Sequence, residues 1–243
     1  MDVRELAPGL WRWTAPHPAW KPEYDKAGGW PKWVASVSYE PQAGARHSSD
    51  LALVLFDPLT PPEGDPDSEL FWRHLDEDVA RVGLPVAILI GNEYHSRSAQ
   101  AIHDRYRARY GSSIWAHEAA VSGLKCRVTD TFAAPRALPS GIIPHMIGNP
   151  SPGEVAYYVP AHRALVVADA VIGSGPGQVR VAPPSWSEPD AESQRLYKEE
   201  FRRSLRTLLD LPIDLLIASH SEPIATGAHE ALAEALNAPA WGE

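Results

Sequence analysis

Two strand-length apolar runs, "LALVLF" and "PVAILI", constrain this chain more than anything else in it. A strand without polar alternation buries both of its faces, so each run needs packing partners above and below. Between them lies a helix with clear punctuation. Asp65 stands at the N-cap, Pro66 at the first helical position and Gly83 past the end, and Leu70, Phe71, Leu75, Val79 and Val82 form an apolar stripe. The second run opens into a polar knot, "GNEYHSRS", and a further helix begins at once. Ala99, Ile102, His103 and Tyr106 fall at helical spacing there, and Gly111 closes it.

The remaining segments extend the alternation. "GLWRWTA", "WVASVSYE" and "SSIWAH" read as strands, giving β-β-β-α-β-α-β in the first half. "CRVTDTF" and "GIIPHMI" are strand-like, and "EVAYYVPAHRALVVAD" reads as a hairpin around "PAHR". "GSGPGQVRVAPPSWSEPD" reads as a Gly/Pro-rich loop. A long amphipathic helix follows, with Leu196, Phe201, Leu205, Leu208 and Leu209 on its core face, then a strand "DLLIASH" and a closing helix "GAHEALAEAL". Two sheets packed together with helices outside suit this order: an α/β fold, a four-layer αββα sandwich of two mixed β-sheets flanked by helices. Residues 1–243 are expected to form one domain.

Composition narrows the function. A net charge of −9 argues against nucleic acid as the main partner, because phosphate binding needs a basic face. No apolar run reaches the length of a membrane span, and the N-terminus lacks a signal-peptide pattern. The single cysteine, Cys126, excludes an intrachain disulfide and fits a reducing cytoplasm. A small-molecule partner is expected, with no nucleic acid and no membrane. Five of the nine tryptophans (Trp11, Trp13, Trp20, Trp30, Trp33) fall within the first thirty-three residues, among prolines. Trp11 and Trp13 alternate along a strand. The others either pin the loop "APHPAWKPEYDKAGGWPKW" to the core or make it an aromatic cover over a pocket, and exposed tryptophans would also suit a homodimer interface.

Five segments in order resemble the metallo-β-lactamase superfamily over nearly the full length. "VLFDPL" stands where that family has a strand ending in aspartate, and "ILIGNEYHSRSAQAIHDRY" where it has a strand, His-x-His-x-Asp-His and a helix. "NPSPGEVAYYVP" stands for Pro-Gly-His-Thr-Pro-Gly-Ser, "VVADAVIG" for the strand ending in Gly-Asp-Ala, and "LLIASHSEPIATGAHEAL" for the last strand and helix. The resemblance implies a hydrolase-type enzyme, of unknown substrate.

It also implies a damaged metal centre. The family's two zinc ions share seven side chains. Matched by position, the signature histidines fall on Asn92 and Tyr94, the aspartate on Ser96, the last histidine on Arg97 and the later one on Pro150. Only Asp169 and His220 keep a ligand residue type. No dinuclear zinc centre is therefore expected. Arg97 is expected to replace a metal charge and pair with Asp169. His95 is expected to act as an acid or base, or to join Asp169 and His220 around a single altered metal. His95, Arg97, Asp169 and His220 are thus the candidate catalytic residues, and Asp57 is expected to orient backbone. A non-catalytic module binding a small anionic or aromatic ligand, or a purely structural member of the fold, is the alternative. His117 and His162 read as structural, His145 has no fixed direction, and Cys126 reads as a buried, inert thiol. "GSGPG" lacks the lysine of a phosphate-cradling loop and reads as a flexible loop near the pocket.

Overall fold

The computed structural model describes residues 1–42, 50–133 and 136–243. A seven-stranded sheet forms from β1 (Val3–Ala7), β2 (Leu10–Pro16), β3 (Trp33–Tyr39), β4 (Leu53–Phe56), β5 (Val86–Ile90), β6 (Ser112–His117) and β7 (Asp130–Phe132), side by side in chain order. The pairs from β1 to β4 are antiparallel. Those from β4 to β7 are parallel. The second sheet contains β8 (Ile143–Met146), β9 (Val155–Val159), β10 (Ala164–Val167) and, beyond a small hairpin of β11 (Val171–Gly175) and β12 (Gln178–Val181), β13 (Leu215–Ala218). It too is mixed: β10 and β13 run parallel, while β8, β9 and β10 alternate.

The uniform apolarity of β4 now has its cause. Val54 and Phe56 pack towards the second sheet with Tyr157, Val166 and Ile217. Leu53 and Leu55 face the other way, onto α1 (Pro66–Val82) and α2 (Ala99–Tyr106), meeting Phe71, Leu75, Val79 and Ile102. On the far side, the outer face of the second sheet is covered by α5 (Ala228–Asn237) and by a continuous helical run. That run comprises α3 (Ala191–Leu196), a wider π turn (Tyr197–Phe201), α4 (Arg202–Arg206) and a final tight turn to Asp210. Four layers result: helix, sheet, sheet, helix.

The helix signals of α1 hold in detail. The Asp65 carboxylate accepts from Asp67 N at 2.9 Å, and Gly83 ends the helix at φ 65°. Three expectations change. "CRVTDTF" contributes only the three residues of β7, because pairing with β6 begins at Asp130. "GSGPG" is not a free loop but the end of β11 and its turn, in a hairpin locked by Val171 opposite Val181. Val3–Ala7, not read as a strand, pairs with β2 as the sheet's edge. Among the described residues, no helix is long and apolar enough to cross a membrane.

Candidate active site

The candidate residues meet at one end of the sandwich, where β4, β5, β10 and β13 stop. Asp57 is one residue past β4, and its Oδ1 accepts from Gly91 N at 2.7 Å. This is the backbone-orienting role expected of it. Gly91 has to be glycine, since a Cβ there would lie 2.6 Å from Ala168 Cβ and 2.8 Å from Asp57 Oδ2. The other carboxylate oxygen, Oδ2, sits 2.8 Å from His95 Nδ1. His95 Nε2 lies 3.2 Å from Asp169 Oδ1, and His220 Nε2 reaches the same oxygen at 3.0 Å. All four side chains are buried.

His95 is therefore clamped between two carboxylates. Burial, and then Arg97, oppose a charged ring, but Asp169 and Asp57 outweigh them and its pKa rises to about 9. With a carboxylate at each nitrogen, His95 is an imidazolium at neutral pH. His220 is moved the opposite way, mainly by burial, with Asp169 only partly compensating. Its Nε2–H is given to Asp169, so Nδ1, buried and without a partner among the described residues, carries the lone pair. Asp169 is held well below the usual carboxylate range: burial opposes ionisation, but His95 and His220 override it.

Arg97 departs from its expected pairing. Its guanidinium donates to Ala35 O at 3.0 Å and Asp57 O at 2.8 Å, and to Ser219 Oγ at 3.2 Å. Nη2 also approaches His95 Nε2 at 3.3 Å. The cation that touches Asp169 is His95, and the expected direct pair between Arg97 and Asp169 does not form. The reason is backbone geometry. Asp57 and Arg97 both adopt positive φ, 46° and 36°, and the first turns its carbonyl towards the second. Carbonyls capture the arginine before it can reach the floor carboxylate.

Two further residues complete the floor: Asn92, read from the sequence only as a lost ligand position, and Glu154, which the sequence did not single out. Asn92 Nδ2 donates to Asp169 Oδ2 and to Glu154 Oε2, both at 2.8 Å. Glu154, fully buried, also accepts from the amides of Asp169 and Ala170 at 2.8 and 2.7 Å. Burial, then the Asp169 charge, pushes its carboxyl up to about 8. A glutamate immediately before the apolar strand "VAYYV" was the available signal, because a charge at the mouth of a buried strand needs buried donors. His117 and His162 lie away from this cluster: His117 Nδ1 accepts from Ala119 N at 3.1 Å, and His162 packs edge-on to Tyr39. Cys126 is half-buried, and burial raises its thiol pKa.

A cavity of about 410 Å³ opens above the floor. Trp30 and Trp186 both meet the His220 ring edge-on, with centroids at 5.4 and 5.9 Å. Three indole N–H groups hold the loop that carries Trp30. Trp20 donates to Trp30 O, Trp186 to Gly28 O and Trp241 to Gly29 O, at 3.0 to 3.2 Å. The loop is thus both pinned and an aromatic wall, which joins the two alternatives read from the sequence. Trp11 and Trp13, two residues apart, share one face of β2, yet Trp13 is buried while Trp11, nearer the strand's start, is exposed.

No family model matches the sequence, and none of the curated proteins does. Solved structures do. A β-lactamase domain protein from Burkholderia ambifaria superimposes with a TM-score of 0.64 at 16% identity, covering 96% of this chain and 75% of that one. A metallo-β-lactamase family protein from Thermus thermophilus gives 0.62 at 16%, covering 96% and 80%. A metallo-β-lactamase from Pontibacter korlensis gives 0.62 at 13%, covering 98% and 99%. The chain has the metallo-β-lactamase fold.

The zinc pair associated with the metallo-β-lactamase fold does not fit these side chains. Asn92 turns an amide N–H₂, a donor and not a ligand lone pair, towards Asp169. Tyr94 points outward, its hydroxyl on Glu188. Ser96 Oγ is occupied by Lys125 N at 2.8 Å, and Arg97 brings a fixed positive charge. A single cation is a different matter. One ligand atom each from His95, Asp169 and His220 lie within 4.8 Å of one another, and Asp57 backs His95 as a carboxylate backs a metal-bound imidazole.

Proposed function

We propose that this chain is a hydrolase-type enzyme acting on a small-molecule ester or thioester through an acid–base pair of histidines. The observation that carries this reading is the opposed tuning of two imidazoles on one carboxylate oxygen. Environments that drive neighbouring pKa values apart assign an acid and a base. His220, neutral, takes a proton from water through its free nitrogen as the water oxygen bonds to the acyl carbon. Arg97 and the His95 imidazolium line the same cavity and stabilise the oxyanion that develops there. The tetrahedral adduct then breaks its bond to the leaving oxygen or sulfur, which takes its proton from His95 Nε2. His220, now protonated at Nδ1, passes its Nε2 proton across Asp169 Oδ1 to His95 Nε2, which restores the charge state of both rings. Asp169 holds both rings, and Asn92 and Glu154 hold Asp169.

The test is turnover of an ester and thioester panel by protein stripped with chelator. His220→Gln, whose amide can keep a donor to Asp169, should lower kcat by at least about 100-fold, the lower range for a positioned base, while circular dichroism shows the variant still folded. Equal turnover in the variant, or no hydrolysis of any panel member, would refute the reading.

A second reading has its own support in the convergent donor atoms of His95, Asp169 and His220. A divalent cation held there would supply a water of lowered pKa. It takes precedence if chelation abolishes turnover and one equivalent of zinc, manganese or iron restores it.

A further inference from the structure

The cavity above the floor does not stand alone. A second one, of about 620 Å³, adjoins it, and both are lined by His17, Ala19, Tyr94, Arg97 and Lys125. These five residues form a neck between an inner chamber, walled by Trp30 and Trp186, and an outer chamber, walled by Leu59, Pro61 and Pro62. Each volume suits part of a ligand of ordinary metabolite size.

Charge is distributed unevenly along this path. The five neck residues include two cations and no carboxylate, and an acid beside them, Glu188, is taken up by the Tyr94 hydroxyl. Arg97 spends its guanidinium on neutral carbonyls, and Lys125 makes no ion pair among the described residues. His17, at the same neck, is held down to about 4, by burial first and then by the positive charges of Arg97 and His95. The outer chamber ends differently, with Glu63 and Glu93 on its wall. A net charge of −9 gives the protein no general attraction for anions, so a positive neck is a local feature.

We propose that the two chambers are one bipartite site for a small monoanion with an apolar body, its anionic group held at the neck by Lys125 and its tail lying in the outer chamber. The inner chamber receives the flat or reacting part against Trp30 and Trp186. Glu63 and Glu93 turn away a tail that carries a second negative charge. This rests on the hydrolase reading only for what reacts at the floor; the binding geometry is independent of it.

The probes are 4-phenylbutyrate, its neutral amide and a diacid of matching length, followed by isothermal titration calorimetry, which reads an occupant of either chamber. The carboxylate should bind about tenfold more tightly than the amide, as one charge-assisted contact provides. Lys125→Ala should erase that preference and leave the amide's affinity unchanged, and Lys125→Glu should reverse it. The diacid should bind more weakly than the monoacid. Pro62→Trp, which fills the outer chamber, should weaken phenylbutyrate and leave acetate unaffected. Equal binding of acid and amide by the wild type, a preference that survives in Lys125→Ala, or a diacid that binds as well as the monoacid would each overturn the proposal. All titrations are repeated in His220→Gln. If carboxylate preference persists where no ester is turned over by any form of the protein, the bipartite site stands and the hydrolase reading falls.

Discussion

The floor of the cavity and its aromatic cover are held by different kinds of bond. Below, side chain meets side chain: Asp57, His95, Asp169, His220, Asn92 and Glu154 bond to one another in a buried chain. Above, three indoles each donate a single N–H to a loop carbonyl. In the floor every group depends on a charge or donor next to it, so removing one leaves others unpaired in a medium that penalises them. In the cover each contact can be lost by itself. A rigid base under an adjustable wall is what a site needs if chemistry is fixed and the ligand's body varies.

The largest expected effect follows from this. Asp169→Ala removes the acceptor of two imidazoles and of Asn92 at once, leaving the His95 charge and Asn92 without their shared acceptor. Breaking a buried ionic network costs about 3–5 kcal/mol, so chemical denaturation should show a loss of that order. A loss below about 1 kcal/mol, the range of an exposed pair, would show that the floor is no more interdependent than the cover.

The next effect is pH. His95 is raised in the folded chain, so its contribution is complete below the ordinary histidine value and disappears as pH rises through about 9. Glu154 acts in the same direction, its carboxyl being raised to about 8. In both cases the folded state holds the proton more tightly, so unfolding free energy should fall with rising pH. The fall begins above the ordinary carboxylate range as Glu154 titrates and continues between roughly pH 6.5 and 9, where His95 alone contributes on the order of 3 kcal/mol. In His95→Gln the slope should flatten. An equally steep slope in that variant would place the titrating group elsewhere.

The sequence made the scaffold legible because scaffold signals are local. The apolar run at β4, the Asp65-Pro66 start and the Gly83 stop each act within a few residues, and α1 forms where they put it. Asp169 and His220 were legible only through the resemblance, which matches them to the positions where that family keeps ligands just past two strands. What was not legible is which atoms meet. Asn92 and Glu154 are 62 positions apart and bond only because β5 and β9 lie in facing sheets. Arg97 was correctly placed at the corner, but its partners depend on a positive φ at Asp57, which no residue type announces. The indoles of Trp186 and Trp241 reach the loop from the other half of the chain, so the cluster of tryptophans near the N-terminus was only half of the arrangement.

The cover provides the smallest effects and the finest test of the contrast. Trp186→Phe deletes one N–H donor and some area beside His220, whereas Trp241→Phe deletes a donor to the adjacent carbonyl, Gly29 O. Each lost hydrogen bond is worth about 0.5–1.5 kcal/mol. Stability should therefore drop only slightly in either variant, and the two drops should add, because neither indole relies on the other. Hydrogen exchange at the amides of Gly29 and Trp30 should quicken in both. Ligand quenching of fluorescence should weaken in Trp186→Phe and stay near wild type in Trp241→Phe, since Trp186 alone of the two lines the cavity. Strongly non-additive losses in the double variant would mean that the cover, like the floor, is a single cooperative unit.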